Sequence, residues 1–204
     1  QNYNDHELIL LFDNPNQEKF SKLKEITIKE NTKNINIIFV QNKTNLGLTI
    51  SLNKAIDQSN GDFIMRQDSD DISEKDRMPE LVAYLKKNPD KNLVYSNVKI
   101  IDDFDNLTKF KINYLLINKF FNSYNFRNSI SHPSIMFRKK IFYKIKRYDE
   151  RFVVSQDYDL IHKFIKDSRY SIGKINSYLY NLRYTKDSIS KKFNKEQRKN
   201  SIII

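Results

Sequence analysis

Short apolar runs alternate with helix-patterned segments through the first half of the chain, and this alternation restricts the fold more than any other feature. Residues 7–12 (Glu-Leu-Ile-Leu-Leu-Phe), 35–40 and 62–67 carry apolar stretches bounded by turn-forming residues, as buried strands do. Between them, residues 16–30 place Phe20, Leu23 and Ile26 at helical spacing, and Leu48, Leu52, Ala55 and Ile56 mark one face of a second helix. Asn60-Gly61 closes that helix, with glycine in the usual stop position. Met78, Leu81, Val82 and Leu85 fall at i, i+3, i+4 and i+7 within residues 74–87, and residues 93–101 read as the next strand. Such alternation predicts an α/β fold with a Rossmann-like, mostly parallel sheet, helices on both faces and right-handed connections.

After Asp102 the pattern changes. Asp102, Asp103, Asp105 and Asn106 make a turn, residues 112–121 read as a short helix, and residues 123–131 as a polar loop. A short strand is expected at 133–137, a short helix at 139–146 and an irregular stretch at 148–154. Residues 155–167 form a helix with Leu160, Ile161, Phe164 and Ile165 on one face and Ser155 as N-cap. Residues 170–184 look extended, and the charged tail from Lys186 looks helical.

The chain has 204 residues and no cysteine, which suits one domain and excludes disulfides and zinc–thiolate sites. No apolar run approaches the roughly 20 residues of a membrane-spanning helix. The net charge of +11 invites nucleic acid or an acidic membrane surface as partner. The lysines are spread along the chain instead of forming one block, which argues against nucleic acid. The sequence opens without a methionine and close to its first strand, as a fragment of a longer protein would.

The chemistry-bearing stretch is Gly61-Asp-Phe-Ile-Met-Arg-Gln-Asp-Ser-Asp-Asp71. A buried strand ends there in the carboxylates of Asp68, Asp70 and Asp71. Like charges massed at a strand end repel, and a hard divalent cation that takes oxygen ligands removes that cost. In open α/β sheets, ligands collect at the carboxyl ends of the strands. One reading is therefore a metal–diphosphate site. The other is a polar turn that caps the following helix.

Several separated segments together resemble family 2 glycosyltransferases, enzymes of the GT-A fold that move a sugar from a nucleotide donor. They are Asn45-Leu-Gly47 with Leu52-Asn-Lys-Ala-Ile56, Gly61-Asp-Phe-Ile64 with Asp68-Ser-Asp-Asp71, and Ser131-His-Pro-Ser-Ile-Met-Phe-Arg138. Tyr148-Asp-Glu-Arg-Phe152 and Gln156-Asp-Tyr-Asp-Leu160 complete the ordered set. The family's first strand has no counterpart, and Gln156 stands where its usual glutamate would. No tryptophan is present, so the motif of the processive synthases is absent. The resemblance divides the single domain into a nucleotide-sugar half, 1–102, and an acceptor half, 103–204.

The resemblance implies an inverting transfer from a nucleotide-diphosphate sugar, a UDP-sugar first, to a hydroxyl of a surface-polysaccharide or lipid-linked glycan. It implies Mn²⁺ or Mg²⁺ at Asp70 and Asp68, and Asp13, Asn45, Asn53, Arg66 and Asp68 around the nucleotide-sugar. His132 and Gln156 fall on the acceptor side. It makes Asp157 the candidate general base, although a helix N-terminus should lower its pKa. Each residue also has a plainer reading. Asp13 and Asn45 suit turns, Asn53 a solvated helix position, Arg66 a pair with Asp62 or Asp68, and Asp71 an N-cap. Asp159 reads as structural, and Arg183 as a cover for the diphosphate or a surface arginine. A cytoplasmic protein at the inner face of a membrane is expected, with peripheral membrane association and no nucleic acid. A nucleotidyltransferase and a non-catalytic glycan- or nucleotide-binding domain remain as alternatives.

Overall fold

The computed structural model describes residues 1–120, 123–167, 169 and 171–184. Strands β1 (Glu7–Phe12) and β2 (Asn36–Gln41) pair in parallel, joined by helix α1 (Gln17–Glu30). Asn16 caps α1 by accepting from Lys19 N at 2.8 Å. Helix α2 (Leu48–Gln58) follows Gly47, whose φ of 81° lies where only glycine is unstrained.

The main sheet has six strands. Its order is β3 (Phe63–Met65), β9 (Ile135–Arg138), β5 (Lys91–Ile101), β10 (Ser171–Arg183) and β4 (Ile72–Ser73), with β6 (Leu107–Lys111) pairing β5 as well. Only β5 and β10 run parallel in it; the β3–β9, β9–β5, β5–β6 and β10–β4 pairs are antiparallel. The sheet is therefore mixed, and the expectation of a mostly parallel sheet is corrected. The reason lies after β5, where β6 and β9 join it with no α-helix in between and run against it.

Alternation along the central strands builds two cores. Leu93, Tyr95, Ile135 and Phe137 face one side with Ile56 of α2, Ile141 and Phe142 of α4 (Lys139–Lys144) and Leu160, Ile161 and Phe164 of α5 (Gln156–Lys166). Val94, Met136 and Leu179 face the other with Leu81, Val82 and Leu85 of α3 (Arg77–Lys87). Residues 93 and 94 point oppositely because successive strand side chains alternate. Helices cover both faces, as expected.

Four further expectations change. The described residues of the 112–121 stretch do not form a helix, and 123–131 are not simply a loop. They include an antiparallel hairpin of β7 (Leu115–Phe120) and β8 (Ser123–Asn128), in register Leu115↔Asn128. Tyr124 and Phe126 alternate with Asn125 and Arg127, a period of two that favours a strand. The helix expected at 74–87 starts only at Arg77, because Ile72–Ser73 pair with β10 first. The strand expected at 133–137 begins at Ile135, after a 3-10 turn over His132–Ser134. The tail from Lys186 lies outside the described residues.

Candidate active site

The acidic turn leaves β3 at Met65 and is held from several directions. Arg66 pairs with Asp68 at 2.6 Å. The other guanidinium nitrogen of Arg66 bonds His132 Nδ1. Arginine only donates, so Nδ1 accepts and the proton of the neutral ring sits on Nε2, which donates to the Tyr148 hydroxyl at 2.8 Å. Burial and the Arg66 charge hold the His132 pKa well below its ordinary value, in keeping with a neutral ring. A chain of contacts thus runs from Asp68 through Arg66 and His132 to Tyr148, which T-stacks on His132.

Burial raises the pKa of Asp68; Arg66 opposes the shift and Asp70 adds to it. Burial also raises Asp71, partly offset by bonds from Arg183 N at 2.6 Å and the Tyr180 hydroxyl at 2.8 Å. Asp71 therefore ties the turn to β10 and is not the N-cap of α3. That position is held by Asp76, without a side-chain cap bond. Arg183 donates to Asp70 O at 2.7 Å and to Asp105, so it braces the turn from behind. Asp70 itself is exposed.

Two carboxylates one residue apart, one exposed and one partly desolvated beside it, suit a hard cation that keeps waters and takes further oxygens from a diphosphate. Among the described residues no group of three or more His, Cys, Asp or Glu is placed to hold a metal by itself. This donor set fits a metal shared with its substrate and does not fit an all-protein cage.

Asp157 sits in the first turn of α5. The sequence pointed to a lowered pKa, and the structure reverses that. Burial is the largest influence and raises it, outweighing the Tyr158 amide bond at 2.9 Å and the charges of Arg66 and Lys111. The residue as a whole is half-buried, while its carboxylate is strongly desolvated. Two residues before it, Ser155 has a left-handed φ of 75° and occupies the N-cap position without a side-chain cap bond. Ser155 Oγ and Gln156 Oε1 are buried and have no hydrogen-bond partner among the described residues.

The remaining expected residues are placed as follows. Asp13 accepts from Leu46 N and Gly47 N at 2.8 Å each and from Asn42 at 2.9 Å. Burial alone would raise its pKa, but the bonds from Leu46, Asn42 and Gly47 hold it lower. Asn45 accepts from Gly47 N at 3.1 Å in the same loop. Asn53 is buried, not solvated, and donates to Tyr148 O and Glu150, which joins α2 to the segment before α5. Asp159 pairs with Lys163 at 2.6 Å and is structural. Arg66, Asp68 and His132 are brought into direct contact; Asp13 and Asn45 share a separate loop cluster.

Three participants escaped the sequence reading. Lys111 of β6 donates to Ser131 Oγ at 2.9 Å and acts electrostatically on Asp157. Tyr180 bridges Asp68 N and Asp71. Arg77 donates to Arg66 O at 2.7 Å from a fully buried position. Only β10 and the start of α3 bring the last two to the turn, and no local motif announces such a contact.

Comparison with known proteins fits this arrangement. The sequence profile described as glycosyl transferase family 2 matches residues 1–146. The chain belongs to glycosyl transferase family 2. It is 37% identical over 164 residues to the uncharacterized glycosyltransferase MJ1057 of Methanocaldococcus jannaschii, covering 78% of this chain and 54% of that protein. It is 30% identical over 161 residues to the O-antigen biosynthesis glycosyltransferase WbnJ of Escherichia coli, covering 78% and 60%. The crystal structure of S. aureus TarS 1-349 in complex with UDP superposes with a TM-score of 0.62 at 16% identity, over 88% of this chain and 51% of that one. The fold is GT-A, with the mixed sheet described above. The chain thus spans only part of these relatives, little more than half of the first. Among the described residues no helix is long and apolar enough to cross a membrane.

Proposed function

We propose that this family 2 domain transfers a sugar, with inversion, from a nucleotide-diphosphate donor to a hydroxyl of a glycan. The donor class is a UDP-sugar, and the acceptor a surface-polysaccharide or lipid-linked chain. The observation that carries the reading is Asp157, a carboxylate whose pKa burial raises, electrostatically coupled to the Arg66 that pairs with Asp68. A base with a raised pKa takes a proton more readily than an ordinary aspartate. As the acceptor oxygen bonds to the anomeric carbon, its proton passes to Asp157 and the bond to the diphosphate breaks, releasing the nucleotide. The UDP of the TarS complex and the O-antigen role in the WbnJ name support the donor and acceptor classes.

Asp70 and Asp68 would hold Mn²⁺ or Mg²⁺. Such an ion neutralises charge on a departing diphosphate. Arg66 already pairs with Asp68 Oδ1, so a cation would share that carboxylate with the guanidinium. The net charge of +11 favours work beside an acidic membrane surface, at its cytoplasmic face. The test is titration of UDP with and without Mn²⁺, followed by a donor-sugar transfer assay on the natural chain and Asp157→Asn. Donor binding retained with transfer lost supports the reading; full transfer by the variant defeats it. Metal-dependent binding with no turnover by the natural chain would point to a binding domain instead.

A further inference from the structure

Arg77 is fully buried and makes no ion pair among the described residues. Burying a charge without a direct counter-charge is expensive, and an apolar side chain of similar volume would serve a core better. Burial lowers its pKa only to about 10, so it remains cationic at neutral pH.

Its acceptors explain what it holds. One terminal nitrogen donates to Arg66 O at 2.7 Å and to Pro133 O. The other donates to Ser73 Oγ at 2.7 Å and to Gln67 Oε1 at 3.1 Å. Gln67 in turn donates to the carbonyls of Asp68 and Asp71, each at 2.9 Å. The guanidinium lies 4.5 Å over the ring of Tyr180, whose hydroxyl accepts from Asp68 N and donates to Asp71. Both ends of the acidic turn are thus reached twice, through Gln67 and through Tyr180. The same guanidinium reaches Pro133, next to the His132 that bonds Arg66.

We infer that Arg77 is a positioning residue: it fixes the shape of the Asp68–Asp71 turn, and its register with the His132–Ser134 segment, before a cation or donor arrives. The inference rests on the metal–nucleotide reading for its functional consequence, and on the contacts above for its structural content. Lysine keeps the charge but replaces a planar fork by a single point.

The experiment compares the natural chain, Arg77→Lys and Tyr180→Phe. It measures the Mn²⁺ concentration at half-maximal UDP binding, the melting temperature, and amide exchange over residues 66–73 without ligand. Outer partners of metal ligands typically change metal affinity by about 10- to 100-fold when lost, and Arg77→Lys should raise the Mn²⁺ midpoint by that order. UDP affinity should return at saturating Mn²⁺, and exchange at the Asp68 and Asp71 amides should quicken. A purely structural role would lower the melting temperature and leave the Mn²⁺ midpoint in place, which overturns the inference. If Arg77→Lys does not fold, Tyr180→Phe decides by the same midpoint: a rise supports the inference and an unchanged value overturns it. If the natural chain binds no UDP at any Mn²⁺ concentration, the metal–nucleotide reading fails on its own. Amide exchange then decides about Arg77, with unchanged exchange overturning its positioning role and faster exchange supporting it.

Discussion

Replacing Asp157 by Asn should cost activity and add stability, and the two effects should part company with pH. General bases contribute about 10²–10⁴ in rate, so transfer should fall by that factor, or about 2.7–5.4 kcal/mol in the barrier. The stability effect follows from the raised pKa of the folded protein, for which burial is the main cause. Below its unfolded pKa the group is protonated in both states and contributes nothing. As pH rises through the folded pKa, the native state must accept a charge it disfavours, so the natural chain loses stability relative to the variant. Asparagine removes that charge and can still accept from Tyr158 N, while Arg66 and Lys111 lose some favourable field. The net raised pKa says that desolvation outweighs this loss. Urea unfolding of both proteins between pH 4 and pH 8, beside the transfer assay, measures each part. A variant that transfers sugar at the natural rate refutes the base assignment. A variant that is less stable than the natural chain at pH 8, but equal to it at pH 4, refutes the electrostatic argument.

Other substitutions test neighbouring parts of the site. Asp70→Ala should abolish metal-dependent UDP binding in calorimetry with little change in melting temperature, because Asp70 is exposed; a large melting change would mean the carboxylate is structural. Asp13→Asn should lose one of the two amide bonds to the 46–47 loop, at about 1.5–3 kcal/mol for a bond to a charged group. The Asp13 pKa is lowered, so its contribution exists above the unfolded pKa and disappears as pH falls through the folded one, the reverse of Asp157; urea midpoints at pH 7 and pH 3 show whether the difference closes. Gly173→Ala puts a Cβ 2.4 Å from the Tyr84 ring, and overpacking of this kind costs about 1–3 kcal/mol; thermal melting should show the loss, and Tyr84→Ala in the same chain should relieve it.

The first hundred residues were legible because each element there satisfies itself locally. The α2 pattern, the α3 face and the apolar run ending at Phe12 all announce themselves at helical or strand spacing, and all formed. The second half was harder for a physical reason. Its strands β6, β7 and β8 form antiparallel hairpin-type pairs whose short apolar runs resemble buried helix segments, and direction in a sheet leaves no trace in a strand's own residues. The acidic turn and Asp157 could be named from the order of their motifs. What surrounds them could not, because Arg77, Lys111 and Tyr180 matter through partners up to 112 positions away. The helix-terminus argument for Asp157 failed in the same way: it counted one local dipole and missed the burial supplied by the rest of the fold.

The order of the main sheet has a consequence for how the protein is made. Strand β5 lies between β9 and β10, both of which follow it in the chain, and its pairing with β10 joins Leu93 to Ile172 and Ile101 to Arg183. The two cores close only on these late strands. A nascent chain leaving the ribosome therefore holds β5 unpaired on one edge until residue 183 has emerged, with Leu93, Val94 and Val98 exposed meanwhile. Long-range pairing of this kind folds slowly and leaves sticky edges in waiting. The β1–α1–β2–α2 unit, which needs nothing from downstream to pair its strands, can form first. Synthesis should yield a half-built domain that depends on chaperones until its last described strand arrives.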